Sequence, residues 1–154
     1  MKRIPWKYLA GLIDGEGCID VQVTNQVYVR PRLRIAMTDV AAELLKNCQA
    51  NFGGHICYRE SKNPNWNNAL SWELSGYTQA CPVLRNIVNH LVIKHEQARF
   101  ALWMERELKG RHVSTEVRDA IREELALMKR DPHRLSETAQ KRIIDLLGCD
   151  SRKS

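Results

Sequence analysis

Two carboxylates set among glycines, in Asp14-Gly15-Glu16-Gly17, close a short apolar segment near the start of the chain. Carboxylate oxygens suit hard cations, which fill their coordination shells from protein, water and phosphate oxygens. Gly15 lies between the two acids and lets the backbone come close, so its carbonyl is a candidate ligand beside Glu16. A second constellation follows at once. Asp20, Gln22, Thr24, Gln26, Tyr28, Arg30, Arg32 and Arg34 occupy even-numbered positions in succession. Glutamine pairs with adenine, arginine with guanine and aspartate with cytosine in the major groove, so this alternation could read bases. An ordinary solvated sheet face is also polar, but three arginines in alternate positions favour nucleic acid.

These residues need elements to position them. Residues 6–13 have the composition of a short helix with Pro5 at its first turn, and the glycines at 15 and 17 should end it. From Cys18 onward the pattern has period two. Ile19, Val21, Val23, Leu33, Ile35 and Met37 form an apolar face opposite the even-numbered polar one. Pro31 belongs at the start or edge of its strand. Thr38 and Asp39 start a helix over residues 40–50, with Val40, Leu44, Leu45 and Cys48 at helical spacing, and Gly53-Gly54 stops it. Strands over 55–60 and 69–75 flank a polar loop at 61–68. This second hairpin offers Arg59, Lys62, Asn67, Asn68, Ser71 and Glu73 as further base or phosphate contacts.

Helices are expected over 79–90, over 94–109 with Gly110 as the stop, from a cap at Ser114 through 130, and from a cap at Ser136 to just before Gly148. The order is helix, two strands, helix, two strands, helix, then a helical tail. That is an α+β plan with four mostly antiparallel strands and helices on one face. One domain spans 1–154, with its core at about 5–110 and its tail at about 111–148.

Composition sets limits. Hydrophobic residues make up 44% of the 154 and charged residues 27%, which describes a globular chain. Its 24 Lys and Arg against 18 Asp and Glu give a formal charge of +6, the sign that attracts a polyanion. No apolar run has the length to cross a bilayer, and the charged first residues lack the apolar stretch of a signal peptide, so an intracellular protein with no membrane partner is expected. The five cysteines form no C-x-x-C pair, which argues against a zinc site or a disulfide framework.

The nine residues Leu9-Ala10-Gly11-Leu12-Ile13-Asp14-Gly15-Glu16-Gly17 resemble the signature of the LAGLIDADG homing endonucleases. Seven of nine positions match the family name, and Gly15 and Glu16 are common variants at the other two. Element order fits over nearly the whole chain. Leu91-Val92-Ile93-Lys94 stands where the family often has a lysine before its next helix. Leu135-Ser136-Glu137-Thr138 is similar to the tail of the small homodimeric members.

The resemblance implies an αββαββα fold with extra C-terminal helices and a four-stranded antiparallel saddle sheet that sits on double-stranded DNA. Gly11 and Gly15 share one helix face, so two motif helices could approach closely. The expected interface of an isologous homodimer is Leu9, Ala10, Gly11, Ile13, Asp14 and Gly15. Asp14 would hold backbone N–H groups around the turn, and Glu16 would bind Mg2+, with Mn2+ able to substitute. Two copies of Glu16 beside a twofold axis would repel each other unless cations lay between them. Lys94 is similar to the peripheral lysine that steadies charge or positions water near the phosphate, although a solvated lysine is the plain alternative. Asp39 departs from the glutamine that many homodimeric members carry there. It either orders water or merely starts a helix, and the residue type leaves both readings open.

The function implied is that of an intron-encoded, site-specific endonuclease, which hydrolyses both strands of a long pseudo-palindromic DNA site and leaves short 3′ overhangs. The alternative is an intron RNA maturase, or a DNA-binding protein of the same fold that does not cut. Retention of Glu16 favours the enzyme.

Overall fold

In the computed structural model, which describes residues 2–153, helix α1 (Trp6–Glu16) runs through Gly15 instead of ending at it. It stops where the chain passes without a loop into β1 (Gly17–Thr24). A Cβ at Gly17 would stand 2.8 Å from both Cα and O of Ile13, so only glycine lets the strand leave this tightly. The two carboxylates are therefore the last turn of a helix and not part of a loop.

β1 pairs antiparallel with β2 (Tyr28–Thr38), which pairs with β4 (Ala69–Ser75), which in turn pairs with β3 (His55–Arg59). The register places even-numbered residues of β1 and β2 on the same face as odd-numbered residues of β3 and β4. Asp20 opposes Arg32, Arg34 opposes Glu73, and Glu73 opposes His55. The other face carries Ile19, Leu33, Ile35, Trp72 and Leu74, all buried under the helices. Pro31 lies within β2, not at its start, and is buried. Pairing with β4 begins only at Arg32, so at Pro31 the strand has β1 alone as a neighbour.

A 3-10 turn (Asp39–Ala41) precedes α2 (Ala42–Phe52). Val40, expected in the core, is instead 82% exposed on that turn. Gly54, with φ of +84°, carries the chain from α2 into β3. A Cβ there would fall 2.3 Å from the Glu73 carbonyl oxygen. α3 (Gly76–Ile87) starts three residues earlier than its spacing indicates and gives way to a 3-10 turn (Val88–His90). α4 (His95–Leu108) follows, and Gly110 with φ of +74° turns the chain beyond it.

α5 (Thr115–Arg130) begins under the Ser114 cap, whose side chain accepts from the Val117 N–H. α6 (Ser136–Lys153) passes through Gly148, where a stop was expected. The tail packs into a second apolar cluster, in which Val117, Ile121 and Ile143 meet Val29 of the sheet and Phe100 and Met104 of α4. It also contains a buried ion network. Glu124, with 1% of its side chain exposed, accepts two hydrogen bonds from Arg134 and one from Arg142.

Burial works against the charged form of Glu124, but those hydrogen bonds outweigh it and hold the carboxyl below its ordinary value. Stability from this network is present above the ordinary carboxylate range and is lost as pH falls through the depressed value. Removing one partner of a buried ion pair typically costs about 3 kcal/mol. Glu124→Ala should therefore lower the unfolding free energy by about that much in urea at neutral pH. It should also remove part of the parent's stability loss below about pH 4, near the ordinary carboxylate pKa. Equal unfolding midpoints for the variant and the parent would show that the network is energetically idle.

Candidate functional site

Asp14 accepts three backbone hydrogen bonds from the segment that leads into α4. The donors are the N–H groups of Val92 at 2.7 Å, Ile93 at 3.1 Å and Lys94 at 2.9 Å. One carboxylate thus ties the C-terminal end of α1 to the irregular segment that leads into α4. Lys94 returns the contact: its ammonium Nζ donates to the Asp14 carbonyl oxygen at 2.8 Å. A lysine at the start of α4 opposes that helix's dipole, but this one answers the negative C-terminal end of α1. One of its three N–H donors is used there, and two remain.

Glu16 is exposed and makes no hydrogen bond or ion pair among the described residues. It is the last residue of α1, whose final turn carries no basic residue. An unpaired carboxylate at a helix C-terminus is electrostatically unfavourable, and a cation relieves it. The oxygen donors on offer, Glu16 and the nearby Gly15 carbonyl, fit a hard divalent ion. Asp39 is half-buried at the start of the 3-10 turn, with its backbone N–H donating to the Asn68 carbonyl at 2.9 Å. Asp14, Glu16 and Asp39 do not form a three-carboxylate cluster.

The remaining motif residues divide by helix face. Leu9, Ala10 and Ile13 are fully buried in the protomer's own core, which corrects their placement at a dimer interface. Positions 9, 10 and 13 share the face of α1 that packs on the sheet. On the opposite face Tyr8, Gly11 and Gly15 are exposed, with Leu12 half-buried. A Cβ added at Gly11 or Gly15 would meet nothing within 4 Å.

The polar sheet face assembles Asp20, Gln22, Thr24, Tyr28, Arg30, Arg32, Arg34, Arg59, Ser71 and Glu73 across four strands. Arg32 donates to Asp20 from Nε at 2.8 Å and from Nη2 at 2.6 Å, which uses two of its five N–H donors. That pairing also raises the pKa of Arg32. Gln22 Oε1 and Arg30 Nε, on directly opposed residues, are covered and have no hydrogen-bond partner among the described residues. Gln26 is not on this face. With φ of +62° it forms the hairpin tip, where its carbonyl accepts from Arg118 of α5. Lys62 and Asn67 sit in the exposed loop, while the Asn68 side chain accepts from the Ser61 N–H at 2.9 Å. In the tail, Arg142 pairs with Glu123 and Glu124.

Residues 9–105 match the family of the LAGLIDADG endonucleases. The chain belongs to that family. No curated protein sequence matches it. Among solved structures, this LAGLIDADG chain is similar to the homing endonuclease I-CvuI in complex with its target in the presence of 2 mM Ca. The TM-score is 0.63 at 22% identity, over 93% of this chain and 94% of that one. A second I-CvuI complex, in 2 mM Mg with the DNA not cleaved, gives 0.61 at 21% over the same shares. The LAGLIDADG meganuclease I-AabMI bound to uncleaved DNA gives 0.55 at 18%, over 70% of this chain and 38% of that one. At these identities the likeness fixes the α+β fold with its antiparallel sheet.

Sequence reasoning missed three residues of the LAGLIDADG sheet face and its surroundings. His55 and Cys57 lie on that face, and their parity with Arg59 in β3 was the available signal. His112 bonds the Tyr28 hydroxyl at 2.9 Å from 84 residues away, and nothing local announces it. Of the other cysteines, burial pushes the thiol of Cys48 up to about 11 and that of Cys81 up to about 12, so both stay protonated at neutral pH.

Asp14→Ala should free the amides of Val92, Ile93 and Lys94. At about 1.5 kcal/mol for each of the three hydrogen bonds to a charged group, about 4.5 kcal/mol of stability is expected to go. Amide hydrogen exchange at those three positions reads this directly. Unchanged protection there would refute the bridging role.

Proposed function

We propose that this chain is a magnesium-dependent, site-specific DNA endonuclease that acts as a symmetric homodimer on a long pseudo-palindromic site. The observation that carries the reading is Glu16: an exposed, unpartnered carboxylate on the last turn of a helix whose outer face is smoothed by Gly11 and Gly15. None of the described residues packs against that smooth face at Gly11 or Gly15. A second copy of α1 packed on it about a twofold axis would use it, and would bring two copies of Glu16 together. Like charges at that distance disfavour each other, and divalent cations offset the repulsion.

When bound, magnesium supplies the Lewis acidity for phosphodiester hydrolysis. The chain's own residues do the rest. Glu16 and the Gly15 carbonyl hold the ion, and Asp14 fixes the turn beside them. Lys94, anchored at the Asp14 carbonyl, keeps two N–H donors for a phosphate oxygen or an attacking water.

The polar sheet face reads the site. Arg34, Arg30 and Gln22 offer base-edge donors and acceptors. Asp20 and Arg32 would meet the bases as one unit, since each already holds the other. The +6 charge, doubled in the dimer, steers a polyanion to this surface and makes affinity fall steeply with salt.

The decisive experiment is cleavage of a randomised DNA pool with magnesium or with EDTA, alongside Glu16→Gln. Discrete double-strand cuts that need both magnesium and Glu16 are expected, with binding by the variant largely intact. Binding without cutting by the folded parent would favour a maturase or a regulator. Gly11→Leu is expected to sediment as a monomer, and a dimeric variant would remove the basis for the twofold.

A further inference from the structure

His55 and Cys57 stand two residues apart on β3, so their side chains leave the same face of the strand. Glu73 of β4 is directly opposite His55. The imidazole nitrogen, the thiol sulfur and a carboxylate oxygen of these three residues lie within 4.8 Å of one another, and no other such trio occurs among the described residues. His55 Nε2 is already 3.3 Å from Glu73 Oε2. The other oxygen, Oε1, leans on the Ser71 hydroxyl at 3.5 Å, which leaves Oε2 to face His55. His55 and Cys57 are exposed, while Glu73 is 9% exposed and fixed in the sheet.

We propose that His55, Cys57 and Glu73 form a binding site for a borderline transition-metal ion of the zinc class. The fourth coordination position is open to solvent. The donor set decides the class, because thiolate with imidazole selects zinc or cobalt over magnesium and calcium. The geometry is near what such an ion needs. Bonds of about 2.0 to 2.3 Å in a tetrahedron place ligand atoms about 3.3 to 3.8 Å apart. The histidine–glutamate pair meets that already at 3.3 Å, and the exposed Cys57 sulfur lies within 4.8 Å of both. Three protein ligands with one open position is the arrangement of zinc sites that keep a place for water or a substrate.

The sequence argued against zinc because no C-x-x-C is present, yet a His-x-Cys strand facing a glutamate builds the same convergence through register. The site differs from Glu16 and Gly15 in both place and chemistry: one is all oxygen, the other contains sulfur and nitrogen. Its existence does not depend on whether the sheet face binds DNA.

The test is a cobalt titration of the reduced, chelator-treated full chain, followed by absorption. The expected result is saturation at one Co2+ per chain, with a thiolate-to-cobalt charge-transfer band and the intense visible bands of four-coordinate cobalt, all displaced by zinc. Cys57→Ser should remove the charge-transfer band. His55→Ala should weaken cobalt binding by more than about tenfold, the loss that even an outer-shell partner can cause. Cys149→Ser and Glu16→Gln should leave the band unchanged, and far-ultraviolet circular dichroism confirms that each variant is folded. Absence of the band in the parent, its survival in Cys57→Ser, its loss in Cys149→Ser, or unchanged affinity in His55→Ala would each overturn the proposal.

Discussion

The carboxylate of Asp14, with its three backbone N–H partners, is the constraint on which the arrangement of the motif depends. α1 enters β1 with no loop, and α4 follows an irregular stretch at residues 91–94. Without a tether, the end of one helix and the start of the other could drift independently. A single acid satisfies three backbone N–H groups of the segment before α4 and so holds that segment to the end of α1. The Lys94 ammonium closes the loop from the other side by binding the carbonyl of the same aspartate. Glu16, two residues on, inherits a fixed position without being held itself. Its backbone is thus fixed while its side chain stays exposed.

The sheet distributes work in the same manner. Its inner face is apolar and closed by Trp72, Leu33 and Ile35, which fixes the register by burial. Once that register is fixed, the outer face has no freedom in which side chains stand together. Asp20 must meet Arg32, Gln22 must meet Arg30, and Glu73 must lie between Arg34 and His55. The tail takes part as well: Arg118 of α5 grips the hairpin tip at Gln26, and His112 grips Tyr28. The residues beyond Leu108 are thus part of what holds the first hairpin, although their own acid–base chemistry, centred on Glu124, is internal.

What was legible in the sequence followed from period and from local chemistry. The two-residue alternation from Cys18 to Met37 gave the first hairpin and its faces, because one side had to be buried. The Ser114 cap and the Gly110 turn were likewise local signals. The readings that failed did so for several reasons, some local and one dependent on a partner strand. Leu9, Ala10 and Ile13 look like interface residues in a motif read linearly, and the helical period sends them into the core. Val40 has the spacing of a core residue, but a 3-10 turn rotates it out to solvent. Gly148 looked like a stop, yet a lone glycine costs a helix only about 1 kcal/mol and the packed face of α6 carries it through. The His55, Cys57 and Glu73 cluster required the pairing of β3 with β4, which no spacing rule contains.

Two features of α1 lower the stability of the isolated protomer, and they share an explanation. Gly11 and Gly15 lie inside a helix, each less favourable there than alanine by about 1 kcal/mol, in positions where a methyl group would touch nothing. Glu16 adds a negative charge at the negative end of the same helix. In a chain whose core positions otherwise follow local rules closely, such departures mark where selection acted on something other than folding. A smooth exposed helix face asks for another helix, and an unpaired acid at its end asks for a cation. Both demands fall on one short helix and would be met together by the proposed twofold axis with bound divalent ions. That joint economy, more than either feature alone, is why the proposed dimer and the proposed metal dependence stand or fall together.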